Sequence, residues 1–173
     1  MKTSPGLTES LEDYLESIYR NILKKGAARV KDIAGDLRVR YPSVTSALKN
    51  LERRGLILYE PYGIISLTKE GLAVALRVTE RHRLLKSFFS QVLGVEQGLA
   101  DETACRIEHV IPPEAYERFV QFMKFLFVTG GTDKDWLKEF RKFVRDNAVD
   151  ATCPECVDEY FAGTGFDPKG GIA

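Results

Sequence analysis

The chain has 173 residues, with 25 Lys+Arg against 25 Asp+Glu and 44% hydrophobic residues. That composition excludes an intrinsically disordered polymer and suits one or two small domains. No apolar run approaches the ~20 residues that cross a bilayer, and Met1–Gly6 lacks the apolar core of a secretory signal, so a cytosolic protein without a membrane partner is expected.

From Thr8 to Lys25 the apolar residues Leu11, Tyr14, Leu15, Ile18, Tyr19, Ile22 and Leu23 recur at three and four, which predicts an amphipathic helix capped by Thr8 and left through Gly26. A short helix over Val30–Leu37 follows, then a third from Ser43 to Arg54 with Pro42 at its first turn and Gly55 at its end. Leu56–Glu60 and Ile64–Leu67 read as two strands joined through Pro61-Tyr62-Gly63. Thr68 caps a long helix that runs to Gly94, and three more are expected over about Glu96–Val110, Pro113–Phe127 and Asp133–Arg145. The fold class is mainly α: an N-terminal winged helix-turn-helix with a β-hairpin wing, then a helical domain.

Net charge conceals a split. Residues 1–95 carry 16 Lys+Arg against 10 Asp+Glu, and residues 96–173 carry 9 against 15, so the front half suits a polyanion. The small polar face of the third helix fits a major groove, and basic flanks neutralise phosphates. Pro42, Ser43, Thr45, Ser46 and Lys49 are the candidate base or groove contacts; Arg29, Lys31, Arg40 and the wing around Tyr62 are the candidate phosphate contacts. A solvated charged face, or a winged helix serving protein contact, is the plainer alternative.

Asp13 and Glu16 lie three apart on the first helix, and Cys105, Glu108 and His109 stand at i, i+3 and i+4 on a later one, with His82 midway along the connecting helix. Carboxylate, imidazole and thiolate together suit first-row divalent metals. Each residue also has a plain reading: dipole complement, surface histidine, small core cysteine. Cys153-Pro154-Glu155-Cys156 is half of a thiolate zinc knuckle or a redox pair, a second metal or redox candidate without a partner pair in the chain.

The strings Thr8-Glu9-Ser10-Leu11-Glu12-Asp13-Tyr14-Leu15-Glu16-Ser17-Ile18-Tyr19, Pro42-Ser43-Val44-Thr45, Arg81-His82-Arg83-Leu84-Leu85 and Ala104-Cys105-Arg106-Ile107-Glu108-His109-Val110 resemble, in order and spacing, the DtxR/MntR family of metal-dependent transcriptional repressors. The resemblance covers roughly residues 7–127. It implies a DNA-binding domain over 1–72, a dimerisation and metal-binding domain over 73–147 and a tail over 148–173, in the two-domain form without the SH3-like third domain. It also implies a homodimer that binds double-stranded operator DNA, activated by Mn(II) or Fe(II), to repress metal-homeostasis genes. Carried over by position, Asp13, Glu16, His82 and Glu108 form one site, and Glu16, Cys105, Glu108 and His109 its neighbour. Asp13 and Glu16 follow the manganese-type pattern, whereas Cys105 follows the iron type and admits Co, Ni or Zn as substitutes. Lys86 and Asp101 stand where iron-type members have ancillary ligands, so no ancillary site of that kind is expected.

The aromatic run Phe119, Phe122, Phe125, Leu126 and Phe127 is the expected dimer contact or, in part, an intrachain core. A winged-helix regulator answering a small organic ligand is the alternative function. An enzyme with Cys105 as nucleophile and His109 as base is not expected, because no oxyanion-hole motif or Gly-rich phosphate loop accompanies the pair.

Overall fold

The computed structural model describes residues 7–59, 63–129 and 135–146. The expectations placed on Tyr62, on Gly130–Thr132 and on the tail with Cys153 and Cys156 lie outside the described residues. Helix α1 spans Glu9–Lys25; the Thr8 side chain accepts from the Leu11 amide, and Gly26 takes the left-handed conformation that closes the helix. Helices α2 (Val30–Leu37) and α3 (Tyr41–Arg53) follow. α3 starts two residues earlier than the spacing predicts, because Arg40 is the extended capping residue and Pro42 sits within the first turn, where its missing N–H costs nothing.

Strands β1 (Ile57–Leu58) and β2 (Ser66–Leu67) pair antiparallel, and an isolated bridge joins Ala28 to Ile65. The strands are shorter than expected. Leu58 and Ile64 remain largely exposed, so little apolar burial supports a longer ladder.

α4 (Lys69–Ser87) begins at Thr68, whose hydroxyl donates to the Gly55 carbonyl and accepts from the Gly71 amide, while the Thr68 amide donates to the Leu56 carbonyl. A Cβ at Gly71 would fall on the Leu56 carbonyl oxygen, so only glycine allows this approach. The expected single helix to Gly94 instead changes at Phe88 to a π-helical segment, Phe88–Val92. There Phe88 packs edge-on to Phe89, Phe119 and Phe122 at ring separations of 5.5, 5.1 and 6.4 Å. α5 covers Gln97–Ile107, and α6 covers Pro113–Lys124 and continues into a second π-helical segment, Phe125–Thr129.

α1 packs against α2, α3 and α4, and α4 in turn against α5. The core is built from Leu15, Ile18, Ile33, Val44, Leu48, Leu51, Ile57, Ile65, Ala75 and Val78, all essentially sealed from solvent. A polar link joins α1 to α2 at its edge: Asn21 on α1 donates to Asp36 at 2.6 Å and to the Ser17 carbonyl at 2.9 Å, and the Ser17 hydroxyl donates to the same Asp36 oxygen at 3.2 Å. Described residues up to Thr129 belong to one compact unit. α7 (Asp135–Asp146) belongs to a second, with Trp136, Phe140, Phe143 and Val144 at helical spacing. No described helix is long and apolar enough to cross a membrane.

Candidate metal centre and DNA-reading face

Asp13 and Glu16 project from α1, His82 from α4, Glu108 from the C-cap of α5, and His109 from the turn after it. The fold gathers them into two groups whose ligand atoms lie within 4.8 Å of one another: Glu16, His82 and Glu108, and Asp13, Glu108 and His109. Glu108, 1% exposed, belongs to both. Its Oε2 is 2.8 Å from His82 Nδ1 and its Oε1 is 3.4 Å from His109 Nε2, which also lies 2.8 Å from Asp13 Oδ1.

This arrangement differs from the resemblance in two places. Asp13 stands with Glu108 and His109 rather than with His82, while Glu16, on the same side of α1, meets His82 and Glu108. Cys105 is exposed and outside both groups. Glu108 is the C-cap of α5, still helical in conformation and donating its amide to the Ala104 carbonyl at 3.0 Å.

Glu16 Oε1 and Glu108 Oε1 are buried without a hydrogen-bond partner. Leaving such an atom unpaired costs about 1–3 kcal/mol, more when charged. Convergent carboxylates and imidazoles with free buried oxygens fit a divalent cation, which would satisfy those oxygens.

Burial pushes Glu108 up from the usual carboxylate range, and the neighbouring Glu16 charge adds to it. His82 is raised, chiefly by its hydrogen bond to Glu108. His109 is pushed up to about 12 by Asp13, then Cys105, then Glu12. Protons and a cation therefore compete for the same atoms.

Residues outside the candidate ligand set complete the surroundings. Glu12 Oε2 lies 3.0 Å from His109 Nδ1, and its other oxygen lies 3.5 Å from Arg77 of α4. Asp101 Oδ1 lies 3.1 Å from His82 Nε2 and also accepts from Lys86. Arg81 donates to the Glu108 carbonyl at 3.2 Å and stacks over Tyr116. Glu12 adjoins Asp13 in a helix's first turns, where acids are routine, so only the tertiary contact to α4 marks it.

On α3, Pro42, Ser43, Ser46 and Lys49 are exposed on one face, and Arg29, Lys31 and Arg40 are exposed beside it. Thr45 is half-buried, and its hydroxyl donates to the Tyr41 carbonyl at 3.1 Å. A groove between α3 and the wing is lined by Arg29, Val30, Thr45, Lys49, Tyr59, Gly63 and Ile64. Tyr41, 60% exposed at the start of α3, was not among the expected contacts.

Residues 6–65 match the family described as iron dependent repressor, N-terminal DNA binding domain, and residues 68–136 match its metal binding and dimerisation domain. A helix-turn-helix transcriptional regulator of Methanocaldococcus jannaschii is 35% identical over 119 residues, 68% of this chain and 95% of that protein. The transcriptional regulator MntR of Shouchella clausii is 37% identical over 135 residues, 78% of this chain and 93% of that protein. Among solved structures, IdeR of T. acidophilum aligns with a TM-score of 0.59 at 29% identity over 71% of this chain, and the manganese regulator SloR with 0.60 at 28% over 69%. The chain spans 55% of the length of each of these two structures.

Proposed function

The chain belongs to the DtxR/MntR family of metal-dependent transcriptional repressors, and we propose that it binds operator DNA as a homodimer when Mn(II) or Fe(II) is held by Asp13, Glu16, His82, Glu108 and His109. DNA reading is assigned to residues 1–72, and dimerisation and metal binding to 73–147. The observation that carries this reading is the meeting of Glu16 from α1 with Glu108 from the end of α5, both buried and each with an oxygen lacking a partner.

α1 packs on the reading helices and on α4, so whatever fixes Glu16 against Glu108 also fixes the reader against α4 and α5. With only protein charges present, the two carboxylates repel, and burial strengthens that repulsion. A bound divalent cation supplies the positive charge that lets them converge. The residues then hold α1 in one position, so two readers in a dimer keep the separation that half-sites about 34–36 Å apart require. DNA in turn tightens metal binding by the same factor, commonly about 1–3 kcal/mol. The five nitrogen and oxygen ligands suit Mn(II) or Fe(II); recruiting the exposed Cys105 would favour softer ions.

The exposed Phe125 and Phe127 support dimerisation through the segment after α6, whereas Phe119 and the part-exposed Phe122 pack on Phe88 within the chain. Pro42, Ser43, Thr45, Ser46 and Lys49 are assigned to base and groove contact, and Arg29, Lys31 and Arg40 to phosphates. Lys31→Ala is expected to weaken binding to every sequence and to lower the salt slope by about one, whereas Ser43→Ala or Ser46→Ala changes sequence preference; competition binding on randomised operators at several salt concentrations separates these outcomes.

The test is a metal titration of operator retardation. Without added Mn(II) or Fe(II), binding is expected to fall to the non-specific level; metal-independent operator binding would remove the proposal. Repeating the titration between pH 8 and 6 checks the sign of the competition. Both imidazoles have their basicity raised and must be neutral to bind a cation, so each proton displaced weakens apparent metal affinity about tenfold per unit of acidification.

A further inference from the structure

We propose that Glu12 and Asp101 are positioning residues that select which nitrogen of each imidazole faces the metal: His109 through Nε2 and His82 through Nδ1. The inference rests on the metal reading above. Each ring has a nearest carboxylate at each nitrogen, and Glu108 Oε1 adds a further one at 3.4 Å from His109 Nε2. His109 has Asp13 at 2.8 Å from Nε2 and Glu12 at 3.0 Å from Nδ1. His82 has Glu108 at 2.8 Å from Nδ1 and Asp101 at 3.1 Å from Nε2.

The two members of each pair are not equivalent. Glu12 and Asp101 are each engaged by a basic side chain of α4, Arg77 at 3.5 Å and Lys86 in direct contact, so their charge is already balanced within the protein. Glu108, by contrast, keeps a buried oxygen without a hydrogen bond, and so does Glu16, whose other oxygen lies 3.8 Å from Arg20. A neutral imidazole carries one N–H and one lone pair. A carboxylate held by Arg77 or Lys86 accepts the N–H, and the lone pair turns to the carboxylates that still lack a partner. Such an outer carboxylate fixes both tautomer and ring orientation and raises ligand basicity.

α4 thereby supplies both anchors. Arg77 and Lys86 are nine positions apart on it; one braces a carboxylate from α1, the other a carboxylate from α5. Glu12 is the more enclosed brace, its side chain 17% exposed against 49% for Asp101, so water replaces it less readily.

The experiment uses the full chain. Mn(II) affinity is measured by equilibrium dialysis for wild type, Glu12→Ala and Asp101→Ala, with Glu12→Gln and Asp101→Asn as variants whose amide oxygen still accepts an N–H. Losing the brace is expected to weaken Mn(II) binding about 10–100-fold, towards the upper end for Glu12→Ala, and the amide variants to recover most of it. In parallel, ¹⁵N ring resonances of the Zn(II)-loaded wild type are expected to identify His109 Nε2 and His82 Nδ1 as the metal-bound nitrogens. Folded alanine variants with wild-type affinity, or metal on His109 Nδ1 or His82 Nε2, would overturn the inference. If an alanine variant does not fold, its amide variant and the ring assignment still decide. Absence of any divalent-ion uptake by the wild type would overturn the metal reading and this inference together, whereas uptake with unchanged variant affinities overturns this inference alone.

Discussion

Glu108→Gln is expected to abolish the metal response of operator binding while leaving the chain folded. Glutamine has the same shape, so the fully buried site stays filled; what disappears is the one carboxylate common to both ligand groups. Removing an outer-sphere partner costs about 10–100-fold in metal affinity, so losing a shared ligand should exceed the upper figure. Glu16→Gln or Asp13→Asn touches one group each and should leave a partial response. The metal-free variant is not expected to unfold earlier than wild type, because burial already disfavours the ionised carboxylate that it replaces. Thermal melts give the comparison. Saturating metal at 100 times its dissociation constant stabilises a folded protein by about 2.7 kcal/mol, and that increment should vanish in Glu108→Gln. A variant that kept it would show that Glu108 is not a ligand.

Gly71→Ala is expected to have the largest effect on stability of any single methyl addition among the described residues. The new carbon would overlap the Leu56 carbonyl oxygen, which is backbone and already receives the Thr68 amide, so neither side can retreat without breaking the junction of hairpin and α4. Overpacking typically costs about 1–3 kcal/mol, and a clash with fixed backbone belongs at or above that range. Urea denaturation should show a lower midpoint with an unchanged slope. Gly35→Ala, at a helical position where an added carbon meets nothing, is the control and should be neutral or slightly stabilising. Equal midpoints for Gly71→Ala and wild type would contradict the close approach.

Much of the architecture was readable from spacing. α1 and α2 start and stop within a residue of where Thr8, Gly26 and the apolar positions of Val30–Leu37 put them, because caps and periodicity are local properties. The switch to π-helix at Phe88 was not readable: the apolar positions continue through it, and only the rings of Phe119 and Phe122 explain why the backbone shifts there. The candidate ligands divide the same way. Residue types and helical offsets picked out Asp13, Glu16, His82, Glu108 and His109, but which carboxylate meets which imidazole depends on how α1 is rotated against α4 and α5, a tertiary outcome. Glu12 and Asp101 carry no pattern of their own; their partners lie 97 and 19 residues away.

The polar link of Ser17, Asn21 and Asp36 has a mechanical corollary. Greasy interfaces tolerate slippage, since one methyl contact replaces another, but the two hydrogen bonds that reach Asp36 have a single register and would be lost together if α1 slid along α2. α1 and α2 therefore form a stiff lever rather than a cushion. On the proposed metal reading, a displacement at Glu16 would therefore be carried on to α2 rather than absorbed between the two helices.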